Sequence, residues 1–172
     1  MDPRYPIGRF DPEAGGPLSD EIAQIAALPA RLAEAVATLE QQGKLGTPYR
    51  EGGWTARQVV HHLADSHLNS YARFRLALTE ERPTIKPYDE KRWAELPDAK
   101  DGPVAPSLAL IEGLHARWAA LLRTMTAQDF QRVFVHPDRG EMTLERTARL
   151  YGWHCRHHLA HLAIAGSAVE HL

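Results

Sequence analysis

Only one cysteine, Cys155, occurs in 172 residues, so no intrachain disulfide can form, which suits a reducing compartment. A run of about 18 apolar residues is also missing, and the N-terminal MDPRYPIGRF lacks the apolar stretch of a secretory leader. Neither a membrane span nor an export signal is expected. Charge of one sign is scarce too: 20 Lys and Arg against 22 Asp and Glu leave a net charge of −2. That is too little to draw in nucleic acid or an acidic membrane surface. Strand-like alternation is weak throughout, with RVFVH at 132–136 as one doubtful instance, and there is no internal repeat. These absences leave a cytoplasmic protein with no nucleic-acid or membrane partner as the expectation.

What is present is helical spacing. The length suits one domain, 1–172, with a sizeable core. Ile22, Ile25, Leu28, Leu32, Val36 and Leu39 predict a helix from Ser19 to Gln42, broken or kinked at Pro29 and ended by Gly43. Thr55 and Gln58 stand at capping-box spacing and open a second helix to Thr79. Leu108, Ile111, Leu114, Trp118 and Leu121 or Leu122 predict a third, from Pro106 or Ser107 to Met125. A fourth runs from Thr143 to Val169. Between the second and third, ERPTIKPYDEKRWAELPDAKDGPVAP carries five prolines and reads as a long ordered crossover. The fold class is therefore all-α, a four-helix bundle with one long crossover, whose core can host a metal site built from facing helices.

Histidine is concentrated. The stretch YGWHCRHHLAHLA, 151–163, places His154, His157, His158 and His161 within eight positions. At about 100° per residue they share one helical face, and His154/His158 and His157/His161 are both i, i+4 pairs able to offer two imidazoles to one ion. A third ligand must come from another helix, where VVHHLADSH supplies His61, His62 and His67. His62 lies on the stripe with Val59, Leu63 and Ser66 that faces the core, with His61 about 100° and His67 about 140° away from it. Without a metal, this many buried imidazoles would need as many hydrogen-bond partners, each unmet group costing about 1–3 kcal/mol. Asp65 is one candidate partner for a ligating histidine. Cys155 points about 100° away from its neighbour His154 and is a poor ligand.

These segments, together with YPIGRF at 5–10, TPYREGGWTARQVVHHLADSHLNSYARFRLALTE at 47–80 and IKPYDEKRWAELPD at 85–98, resemble the DinB superfamily. Its YfiT-like branch, associated with metal-dependent hydrolysis and with bacillithiol S-transfer, is the nearest likeness. The resemblance covers nearly the whole chain. It implies an up-down-down-up four-helix bundle, a homodimer, and a divalent ion held by one histidine of the second helix and an H-x-x-x-H pair of the fourth. By position these are His62, His154 and His158, with His157/His161 as the overlapping alternative register.

Three neutral histidines leave an open coordination position, the arrangement of a catalytic zinc site, with nickel as the second metal to expect. The expected function is a metal-dependent transferase that activates a low-molecular-weight thiol as a metal thiolate for attack on a small electrophile. The alternatives are hydrolysis by metal-bound hydroxide and a non-catalytic metal-binding bundle acting as a dimer. No glutamate base stands beside the histidines, which favours the thiol. Arg50, Lys86, Tyr88 and Arg92 could meet a carboxylate-bearing cofactor, but each reads more readily as a loop residue in solvent and none is counted in the site.

Overall fold

Thr55 opens the second long helix as the capping-box spacing requires: its hydroxyl accepts the Gln58 amide N–H at 3.2 Å, and the Gln58 side-chain oxygen accepts the Thr55 N–H at 3.0 Å. Two backbone donors that no helical carbonyl could reach are thereby satisfied. The computed structural model describes residues 2–14 and 16–168. Its elements, in chain order, are α1 (Leu18–Gln41), α2 (Ala56–Thr79), α3 (Glu90–Ala94), α4 (Pro97–Lys100), α5 (Ala105–Thr124), α6 (Ala127–Phe130), β1 (Val133–His136), β2 (Gly140–Thr143) and α7 (Leu144–Ser167).

The four long helices α1, α2, α5 and α7 form the expected bundle. α7 packs along α1 and α2, and α5 packs along the same two, so α1 and α2 lie diagonally across the core. Ile25, Leu28 and Leu32 of α1, Val59, Leu63 and Phe74 of α2, Ile111 and Trp118 of α5, and Leu144 and Leu162 of α7 are almost wholly removed from water. Each such side chain contributes about 1.5–3 kcal/mol of burial. α1 alone among the described helices is long and apolar enough to cross a membrane by length and composition. Its buried residues nevertheless form one stripe, Ile25, Leu28, Leu32, Val36 and Leu39, as in the core helix of a bundle.

α1 runs unbroken through Pro29, contrary to the break that a missing amide donor suggests. It ends where Gly43 takes φ 68°, which lets the Lys44 N–H reach the Leu39 carbonyl at 2.8 Å. α7 is capped by Thr143, whose hydroxyl accepts the Arg146 N–H, and the Val169 end expected from sequence lies outside the described residues.

The crossover is ordered by α3 and α4 and tied to α2. Gln58 Nε2 donates to the Ala94 carbonyl at 2.8 Å, and Arg57 donates to that of Gly102 at 2.6 Å. The doubtful RVFVH is a strand. β1 pairs antiparallel with β2, Val133 opposite Thr143 and His136 opposite Gly140, and the crossover joins its other edge through Thr84. The all-α class is thus amended by a small hairpin seated before α7.

Candidate metal centre

α7 packs beside α2, and the histidines of both helices meet between them. His154 Nε2 lies 3.3 Å from His62 Nε2 and 3.1 Å from His158 Nε2. Two nitrogens each about 2.0–2.1 Å from one tetrahedral ion stand about 3.3 Å apart, so both separations fit edges of a single coordination tetrahedron. One nitrogen from each of the three residues falls within 4.8 Å of the others. His62 and His158 are buried, and His154 is partly buried.

His157, His158 and His161 also bring one nitrogen each within 4.8 Å. Both nitrogens of His161 are engaged, however. Its Nε2 lies 3.1 Å from the Pro3 carbonyl, which can only accept, so Nε2 carries the proton. Nδ1 of a neutral His161 is then bare, and it accepts the Nδ1–H of His158 at 3.2 Å. That bond leaves His158 with a bare Nε2 on the side of His62 and His154. His157 differs: its ring stacks on Trp153 with centroids 4.3 Å apart, and its Nδ1 is buried without a partner.

The cluster is uncharged at neutral pH. Burial, reinforced by the neighbouring rings, lowers His62 to about 4 and holds His154 and His158 well below the usual imidazole range. Burial likewise takes His157 and His161 to about 4. Neutral imidazole is the form that binds a metal. Burial also pushes the Cys155 thiol up, leaving it protonated and inert, so it supplies neither a ligand nor a nucleophile.

Of the other α2 histidines, His61 leaves the cluster and bonds Ser107 Oγ at 2.8 Å, tying α2 to α5. His67 joins it instead: its Nε2 lies 3.0 Å from His154 Nδ1, and its Nδ1 lies 2.9 Å from Nε2 of His115 on α5. Among the described residues no hydrogen bond joins the Asp65 carboxylate to a histidine. The partners of His154 and His158 are therefore themselves histidines, not Asp65. His115 escapes a sequence reading because it sits among Ile111, Leu114, Trp118 and Leu122, where one imidazole reads as core. Asp65 stays half-buried, and burial, with Asp98, raises it to about 6. In the loop before α2, Tyr49 stacks on His161 at 3.9 Å between centroids, and Arg50 has its Nε buried without a partner. In the crossover, Tyr88 lies against Trp93 with centroids 4.5 Å apart.

Comparison with known proteins adds to this geometry. The DinB superfamily profile matches residues 6–162. YfiT of Bacillus subtilis, named as a candidate metal-dependent hydrolase, is 54% identical over 164 residues, spanning 92% of this chain and 90% of that protein. A Bacillus cereus protein named in the same way is 52% identical over 166 residues, 94% of each chain. The solved structure of Bacillus subtilis YfiT, described as a candidate metal-dependent hydrolase with an unusual four-helix bundle topology, superimposes with a TM-score of 0.89 at 50% identity over 96% of both chains.

Proposed function

The chain belongs to the DinB superfamily, and within it we propose a metal-dependent enzyme in which His62, His154 and His158 hold one divalent cation, zinc before nickel. Its proposed reaction is transfer of a low-molecular-weight thiol, of the bacillithiol type, to a small electrophile. The observation that carries this is the approach of uncharged Nε2 atoms at 3.1 and 3.3 Å in a buried cluster. A cation there would supply Lewis acidity, enough to deprotonate a coordinated thiol outright and to bring a coordinated water toward a pKa of about 7. Three protein ligands leave a position for either.

The chain's own groups support this assignment. Hydrogen bonding favours the His154/His158 register, because enlisting His161 as a ligand would cost its bond to Pro3 or to His158. The thiol must come from outside, since Cys155 is buried and protonated. Arg50, in the loop beside Tyr49 and His161, has a buried Nε without a partner, which supports a role for it in receiving a carboxylate of an incoming cofactor.

Hydrolysis is the alternative, and one observation besides the names of the relatives favours it. Asp65, one turn beyond His62 on α2, has a carboxyl raised to about 6, close to what a general base working at neutral pH needs. A homodimer is proposed with either chemistry.

The experiment is metal analysis of untagged protein by mass spectrometry, followed by conjugation of a chromogenic electrophile with several low-molecular-weight thiols. Turnover that requires both the metal and one thiol supports transfer. Stoichiometric metal without thiol-dependent turnover would shift the assignment to hydrolysis or to a structural ion.

A further inference from the structure

Pro29 has no N–H, so the carbonyl of Ile25, four residues earlier in α1, lacks the donor that an α-helix would give it. That carbonyl is not left bare. His115 Nδ1, reaching from α5, lies 2.6 Å from it. A carbonyl oxygen only accepts, so the proton of His115 sits on Nδ1.

From this end the remaining protons are determined one after another. Burial holds His115 neutral, lowering it to about 4, so its Nε2 is bare and must accept from His67 Nδ1 at 2.9 Å. His67 is 0% exposed, and its hydrogen-bond partners among the described residues are His115 and His154 alone, with no carboxylate to balance a second proton; having donated from Nδ1 it has a bare Nε2, which accepts from His154 Nδ1 at 3.0 Å. His154 is left with its proton on Nδ1 and a lone pair on Nε2, the atom that faces His62 and His158. The opposite assignment would set bare Nδ1 of His115 against the Ile25 oxygen, acceptor against acceptor, deep in the core, whereas the assignment above leaves facing lone pairs only at Nε2 of His154 and His158, where a cation would relieve them. His67 and His115 are 0% and 1% exposed, so solvent cannot repair that mismatch.

We propose that Pro29, through the Ile25 carbonyl it frees, anchors a relay of His115 and His67 that fixes His154 in the Nδ1–H tautomer and presents its bare Nε2 to the ion site in advance of any metal. His67 and His115 are positioning residues, acting on the ion only through His154. This rests on the assignment of Nε2 of His62, His154 and His158 as the ligand set. It also gives a purpose to two features the ligand set leaves unexplained, a proline inside a core helix and a lone imidazole on an apolar stripe.

The test uses the full-length apoprotein labelled with 15N-histidine, reading tautomers from long-range nitrogen–proton correlations, and measures Zn(II) and Co(II) affinity by competition with a chelator. In the wild type His154 is expected with its proton on Nδ1. His115→Phe removes the acceptor for His67, so His154 should become a mixture of tautomers and metal affinity should fall about 10–100-fold at unchanged stoichiometry. His115→Gln, which can donate to Ile25 and accept from His67, should recover most of the loss, a rescue that packing alone would not produce. If His115→Phe does not fold, Pro29→Ala tests the same link by giving the Ile25 carbonyl back its helical donor, and the His115 Nδ1–H resonance should move upfield. A wild-type His154 protonated on Nε2, a folded His115→Phe with unaltered tautomer and affinity, or an unmoved resonance in Pro29→Ala overturns the proposal. Should the wild type bind neither metal, the ligand assignment fails separately, and the apoprotein spectrum still decides the relay.

Discussion

Gly152 of α7 meets the backbone of Glu21 of α1: a Cβ added at Gly152 would stand 2.9 Å from the Glu21 Cα. Arg156, one turn further along α7, holds the same Glu21 carboxylate through two hydrogen bonds of 2.6 and 3.1 Å. The two helices are therefore brought together by a missing side chain and fastened by an ion pair beside it. This contact also lies two residues from His154, so it helps set how α7 presents the cluster.

Gly152→Ala separates two opposing effects. In an isolated helix alanine is favoured over glycine by about 1 kcal/mol. Here backbone blocks the new methyl, and overpacking costs about 1–3 kcal/mol. The variant is expected to melt lower than the wild type, and a higher melting temperature in calorimetry would show that α1 and α7 are not in contact as described.

Alanine substitutions at the cluster should sort into three grades by metal titration. His62→Ala, His154→Ala and His158→Ala each remove a ligand and are expected to abolish tight binding. His161→Ala removes only the partner of His158 Nδ1 and should weaken binding about 10–100-fold. His157→Ala should leave the affinity nearly unaltered. Metal retained in His154→Ala but lost in His161→Ala would place the ion in the other register.

Much of this arrangement is legible in the chain, and the remainder fails for reasons that can be named. The long helices follow from apolar spacing, and the α2 boundary from Thr55 and Gln58, because both signals are local. His62 is singled out because it shares a stripe with Val59 and Leu63, whereas i, i+4 spacing offers His154/His158 and His157/His161 alike, and the family resemblance, not the spacing, chose between them. His67 is misread, since an angle of about 140° from His62 places it elsewhere on a helical wheel. The wheel discards the rise along the axis, about 7.5 Å over five residues, and that rise sets His67 beneath His154, within reach of its second nitrogen. Pro29 predicts a break because the donor that replaces its amide belongs to another helix, some ninety residues on. The hairpin is faint because each strand has only four residues, of which Phe134 and His136 alone are buried in β1.

Arg50→Met tests cofactor recognition separately from chemistry. A hydrogen bond to a charged group is worth about 1.5–3 kcal/mol, and 1.4 kcal/mol is a factor of ten. For a carboxylate-bearing thiol KM should rise about tenfold while kcat changes little, and a thiol without a carboxylate should show no such rise. Equal losses for both thiols, measured by steady-state kinetics, would remove Arg50 from cofactor binding.

The buried histidines also set how the apoprotein responds to acid. His62, His115, His157 and His161 are each lowered to about 4, below the unperturbed value of about 6.5 that they regain on unfolding. Between these two values the unfolded chain binds more protons than the folded one, so stability is complete above about pH 6.5 and is lost as pH falls toward 4. Each group contributes about 1.4 kcal/mol per pH unit over that window. Asp65, raised to about 6, acts in the opposite sense, but it is one group against four. Together the histidines can exhaust a typical domain's margin of about 5–15 kcal/mol within about two pH units. Circular dichroism should therefore find the apoprotein unfolding between pH 6 and 4.5 (about one unit either way), and zinc, which binds only neutral imidazoles, should move the transition to lower pH. An apoprotein still fully folded at about pH 4, or a transition indifferent to zinc, would contradict a core of neutral imidazoles gathered around an ion site.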